Sequence, residues 1–155
     1  MEFKRLENFY QVDKENYLGF CGYDIFEFDP KEIYLKNILE SNILADENTI
    51  GDFGPFIINT LTEYDFEKID FTELNKLLKE NYQDENWGKD LEIFKSNVLT
   101  IFDHLKIETY EINYINLEKV KTEIKPDPNF WSYFIGIVCI NRTENRLIKI
   151  YFGGD

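Results

Sequence analysis

The sequence predicts an α+β protein: a mainly antiparallel sheet with helices packed on one face, closed by a C-terminal β-hairpin. Three observations carry this. Apolar side chains alternate near both ends of the chain. They recur at intervals of three and four in the middle, and residues 130–152 hold two apolar runs around a charged turn. No internal repeat, low-complexity tract or long linker divides the 155 residues, so residues 1–155 are read as one acidic globular domain.

Taken in order, residues 3–12 read as a strand or an irregular lead-in. YLGFCGYDIFEF, residues 17–28, is a strand in which Gly19 and Gly22 mark a bulge or a close backbone approach. DPKEIYLKNILESN follows with helix-start chemistry: Asp29 as N-cap, Pro30 at the first helical position and Glu32 completing the box. Ile33, Ile38 and Leu39 supply that helix with its apolar face, as far as Ser41. After the loop ADENTIGDFGP, PFIINTLTEY is a short helix opened by Pro55, with strand as the alternative because of its β-branched residues. DFTELNKLLKENY repeats the capping logic with Asp70 and Glu73, and Phe71, Leu74, Leu77, Leu78 and Tyr82 fall on one stripe. From Trp87 the stripe Leu91, Phe94, Val98, Ile101, Phe102, Leu105 predicts a further helix. KIETYEINYI then alternates, with Tyr110, Ile112 and Tyr114 to one side. NLEKVKTEI gives a short helix capped by Asn116, which Pro126 and Pro128 end.

The last segment, NFWSYFIGIVCINRTENRLIKIYFGGD, is apolar on both faces of its first strand. Phe130, Phe134, Val138 and Ile140 share one side, and Trp131, Tyr133, Ile135 and Ile137 the other. A central strand buried on both faces has this pattern. The alternative is an aromatic face, centred on Trp131 and Tyr133, that joins copies into an oligomer.

The composition is 43% hydrophobic and 17% aromatic, enough for a core of rings that needs no cofactor, and the formal charge is −13. That charge is uneven: residues 45–92 carry net −9, residues 1–44 net −4 and residues 93–155 zero. Such a field excludes nucleic acid, whose phosphates require Lys and Arg, and is repelled by anionic membranes. A basic protein is its complement, with the chain itself a monomer or homodimer. The N-terminal sequence has no signal-like apolar run, and Phe134–Ile140 is far shorter than the ~20 residues of a membrane span. Cys21 and Cys139, the only cysteines, suit a reducing cytoplasm. Asn141–Thr143 matches a glycosylation sequon and reads as turn chemistry.

Catalytic constellations are scarce. His104 is the single histidine, so multi-histidine zinc sites cannot form within one chain. Its place near a helix end is that of a dipole-favoured flank residue. Ser41, Ser96 and Ser132 lie in no nucleophile elbow. A Cys21–His104 pair oriented by Asp103 or Glu108 is the enzymatic alternative, together with an unidentified carboxylate pair. The acids around Cys21 oppose a thiolate. DENTIGD and DENWGKDLE miss the calcium-loop pattern: Ile50 and Ile57 fill ligand positions in the first, and Gly88 comes one residue early in the second.

What remains is an acidic band with interleaved rings: Glu63, Tyr64, Asp65, Glu67 and Asp70, then Asp84, Glu85, Trp87 and Asp90. A solvated surface with helix caps accounts for it. So does a docking face, in which acids give fast encounter and rings give anchors.

In general plan the chain resembles the immunity proteins of bacterial polymorphic toxin systems. The likeness rests on NFWSYFIGIVCI, the charged turn NRTENR, the closing YFGGD and the acidic middle. The resemblance implies a small, cytoplasmic, non-catalytic α+β protein that blocks a basic toxin domain, and it assigns no role to an individual residue.

Overall fold

The computed structural model describes residues 2–12, 19–29, 33–41, 43–45, 53, 56, 58–83, 90–116 and 133–154. Its frame is a six-stranded antiparallel sheet built from β1 (Phe3–Val12), β2 (Gly19–Phe28), β3 (Glu67–Ile69), β4 (Glu111–Asn116), β5 (Tyr133–Asn141) and β6 (Arg146–Gly154). The strands lie in the order β1-β2-β6-β5-β4-β3. β5 and β6 form the expected hairpin, in register from Tyr133↔Gly154 to Asn141↔Arg146. The charged turn closes because Asn145 takes a left-handed backbone (φ 55°) and the Asn141 carboxamide oxygen accepts the Glu144 N–H at 3.0 Å.

Alternation within the strands sends two sets of side chains to two cores. Tyr23 on β2, Ile112 and Tyr114 on β4, Ile135 and Ile137 on β5, and Ile148 and Ile150 on β6 pack under the two long helices. These are α2 (Phe71–Tyr82), through Leu74 and Leu78, and α3 (Leu91–Leu105), through Phe94, Val98, Ile101 and Phe102. The opposite face is covered as well. Phe26, Phe134, Val138, Ile140 and Tyr151 meet α1 (Leu35–Glu40) and the segment carrying Leu44, Phe53, Phe56, Ile58 and Leu61. β5 is therefore the central strand its sequence describes, buried along Phe134–Ile140 on both sides.

Glycines set how closely the rings approach on this second face. Gly22 and Gly136 flank Tyr151 in register. A Cβ on Gly22 would lie 2.5 Å from the Tyr151 hydroxyl and 2.7 Å from the Phe9 carbonyl oxygen, and one on Gly136 2.6 Å from the Phe53 ring. Gly22 is thus a close approach, and the sheet's bulge falls instead in β1, between Arg5 and Glu7.

Of the two readings of residues 3–12 the strand holds: β1 is ten residues long, at the sheet edge. Several other expectations need correction. α1 begins at Leu35, with the Tyr34 N–H donating to Asn37 Oδ1 at 3.0 Å, and Asp29 does not cap it. Ile33 precedes the helix and packs into the second core, while Arg142 donates from Nε and a terminal nitrogen to its carbonyl oxygen at 3.1 and 2.6 Å. The segment read as one helix from Pro55 holds two single 3₁₀ turns, Ile58–Thr60 and Glu63–Asp65. Asn116, expected to cap a short helix, ends β4, and residues 117–124 of that helix, Trp131 and Pro55 fall outside the described residues. Of the expected Trp131 face, Tyr133 is half-buried with its ring 5.6 Å from that of Phe94, and Ile135 and Ile137 are buried. No described helix is long and apolar enough to cross a membrane.

Candidate functional site

The first part of the acidic band forms a continuous path from the 3₁₀ turn through β3 to the start of α2. Its geometry comes from capping. Asp65 Oδ2 accepts from the Thr62 N–H at 2.8 Å and from the Thr62 hydroxyl at 3.2 Å, closing the turn. Asp70 Oδ1 accepts the Glu73 N–H at 2.8 Å and starts α2, as its sequence indicates. Glu67 is exposed on β3, at the edge of the sheet. Two of the four acids thus hold structure.

Glu63 and Tyr64 have a different setting. The turn rests beside α1, and together they bound a groove of about 380 Å³. Leu39 and Leu61, both nearly buried, form its floor. Glu40 and Glu63 stand at its rim with Lys36 and Thr62, and the Tyr64 ring is 88% exposed. Among the described residues no cation pairs with Glu40 or Glu63. Lys36 and Glu40 were not singled out by sequence reasoning, and Leu39 only as part of the helix's apolar face, because only tertiary packing brings α1 to the turn. Asp90 immediately precedes α3, partly buried and without a side-chain capping bond, while Asp84, Glu85 and Trp87 fall outside the described residues.

The enzymatic alternative meets a different geometry. Cys21 is 1% exposed, and burial pushes its thiol up to about 11, so it is protonated at neutral pH. Cys139 is fully buried and its thiol is likewise raised by desolvation. His104 sits at the surface near the end of α3. Its Nε2 lies 3.2 Å from both Glu7 carboxylate oxygens on β1, and its ring 5.7 Å from that of Tyr23. Glu7, rather than Asp103 or Glu108, is its acidic partner. Among the described residues no group of histidine, cysteine and carboxylate side chains could hold a metal ion.

Charge is also buried in the second core. One row across the sheet runs Asn8, Asp24, Lys149, Val138, Asn113, Lys68. Lys149, 0% exposed, pairs with Asp24, 1% exposed, at 3.0 Å. Asp24 also receives Arg5 Nε at 3.2 Å and Asn8 Nδ2 at 2.6 Å. At the far end Glu111 gathers Lys68 at 2.9 Å and Arg142 at 3.3 Å. Burial raises the Glu111 carboxyl, but hydrogen bonds from Lys68, Asn113 and Arg142 outweigh it and hold the group below its ordinary value. The available signal was Lys149 set between Ile148 and Ile150 in a strand flanked by apolar neighbours.

The sheet and its two coverings define an α+β protein with an antiparallel frame. No family model matches the chain, and no curated protein matches it. Among solved structures it is similar to citrus MAF1 in two crystal forms. One is 12% identical with a TM-score of 0.45, covering 92% of this chain and 90% of that one. The other is 12% identical with a TM-score of 0.40, covering 87% and 86%.

Proposed function

We propose that this chain is a non-catalytic acidic binding protein, an immunity or inhibitor protein that masks a basic surface on a partner such as a toxin domain. The observation that carries the reading is Tyr64, almost wholly exposed between Glu63 and Asp65 at the mouth of an apolar-floored groove. An exposed ring inside a negative field combines the two parts of a fast, anchored interface: charge that steers encounter and apolar area that slows release. Glu67 and Asp70 extend the field along the same segment, and residues 45–92 concentrate it at net −9.

The test is a pull-down and titration against basic proteins, beginning with the product of the neighbouring open reading frame, at low and high salt. Binding should weaken steeply as the Debye length falls from ~10 Å at 0.1 M toward 3 Å at 1 M. Tyr64→Ala should weaken it by about tenfold or more, as loss of an interface anchor does. Equal affinity at both salts, or indifference to Tyr64→Ala and Glu63→Lys, would overturn the reading.

A second reading, an oligomeric module, is favoured by one observation. β1 is an edge strand on which Leu6, Tyr10 and Val12 are exposed. Sedimentation as a monomer at high concentration would dispose of it.

A further inference from the structure

We infer that the groove between α1 and the Glu63–Asp65 turn is a pocket for a single arginine side chain presented by a basic partner polypeptide. The inference rests on the proposed docking reading and deepens it by naming what the site recognises. At about 380 Å³ the groove lies at the small end of ligand sites, which suits one long side chain better than a nucleotide or cofactor.

Its chemistry is graded along its depth. Leu39 and Leu61 offer an apolar floor for a methylene stem. Glu40, from the last turn of α1, and Glu63, from the 3₁₀ turn, bring exposed carboxylates to the rim from two separate elements. The carboxylates outnumber the one lysine at the rim, so the groove keeps a net negative charge when empty and is neutralised by one added cation. Lys36 repels a second cation and gives the pocket a direction.

Tyr64 selects between the two basic side chains. Its ring is 88% exposed and belongs to the groove lining, a flat π-face that a planar guanidinium stacks on more readily than a compact, strongly hydrated ammonium. Cation–ring contacts of both kinds occur within the chain, Arg142 at 5.9 Å from the Tyr34 ring centre and Lys95 at 5.3 Å from that of Tyr82, so the choice of arginine rests on its planar head and bidentate reach to two carboxylates. Arginine fits stem, head and ring together.

Amide shifts of the full-length folded protein, followed while hexa-arginine and hexa-lysine are titrated at low salt, provide the test. Hexa-arginine should move the amides of residues 39–40 and 61–64 and bind about 2- to 5-fold more tightly than hexa-lysine. Tyr64→Ala should abolish that preference. Glu40→Gln and Glu63→Gln should each weaken hexa-arginine by about 2- to 5-fold. All three side chains are exposed, so unchanged shifts elsewhere verify the fold. Shifts confined to Glu67 and Asp70 would overturn the pocket while leaving the acidic docking face standing. Equal binding of the two peptides would overturn the arginine assignment. Absence of binding by either peptide would overturn both readings. Groove shifts that depend on protein concentration without peptide would assign the groove to a second copy of the chain and overturn the proposal.

Discussion

Replacing Lys149 or Asp24 tests how the second core tolerates charge. The pair is fully desolvated, 3.0 Å apart, with Lys149 on β6 and Asp24 on β2. Removing one member of such a pair costs about 3–5 kcal/mol, because the other charge stays buried. After Lys149→Met, Asp24 keeps Arg5 at 3.2 Å and Asn8 at 2.6 Å, although the Arg5 side chain is 52% exposed and its field is partly screened. Asp24→Val instead takes the carboxylate from a lysine with no exposed surface, whose ammonium also lies 5.8 Å from the Tyr151 ring centre. Each single variant should therefore cost about 3–5 kcal/mol. With a urea m-value of about 2 kcal/mol/M these become midpoint shifts of roughly 1.5 to 2.5 M. The double variant Lys149→Met/Asp24→Val removes both buried charges and lets half-exposed Arg5 and exposed Asn8 return to water. It should recover to within about 2 kcal/mol of the parent protein. Equilibrium urea unfolding of the four proteins closes the cycle. Single variants costing under about 1 kcal/mol, or a double variant whose loss is the sum of the two, would refute the reasoning.

Gly22→Ala should destabilise by about 1–3 kcal/mol, since its Cβ meets a backbone carbonyl oxygen as well as a ring; an unchanged melting temperature would sink that account. Glu111 has a lowered carboxyl, so its contribution is present above the ordinary value of 4.5 and is lost as pH falls through the folded value. Glu111→Gln should thus cost more stability at pH 7 than at pH 3, and an equal cost at both would contradict it. Cys21, with its thiol near 11, should have about 1 part in 10⁴ thiolate at pH 7. Ellman's reagent should therefore label the native protein only as fast as it opens, and rapid stoichiometric labelling would count against burial of that thiol.

The parts of this fold legible in the sequence are those decided within a few residues. Asp70 and Glu73 start α2 by a hydrogen bond three positions apart, and the α3 stripe needs only its own period. β5 announces its burial because both its faces are apolar. What stayed hidden depends on distant residues. Asp29, Pro30 and Glu32 satisfy every local rule for a helix start, yet Arg142, on the β5–β6 turn, holds the Ile33 carbonyl and α1 begins two residues after Ile33. β3 is three residues long and exists because Glu67–Ile69 find Ile112–Tyr114. Of the candidate site, the acids and Tyr64 were visible as a band, whereas the groove needed α1 to arrive from earlier in the chain. The Asp24–Lys149 pair was invisible until β2 and β6 were known to be neighbours.

The position of β6 has a consequence for how the chain is made. The β1–β2 hairpin comes first and the β5-β4-β3 block later, and the two meet only through β6, which is translated after both. While residues 29–145 are being made, the β2 edge therefore has no inner strand to pair with, and a two-stranded hairpin alone is marginal in water. Only when residues 146–154 clear the exit tunnel does one strand stitch both sides at once and seal Lys149 against Asp24. The sheet therefore cannot be completed in chain order, and the β2 and β5 edges stay unpaired until β6 is available to both.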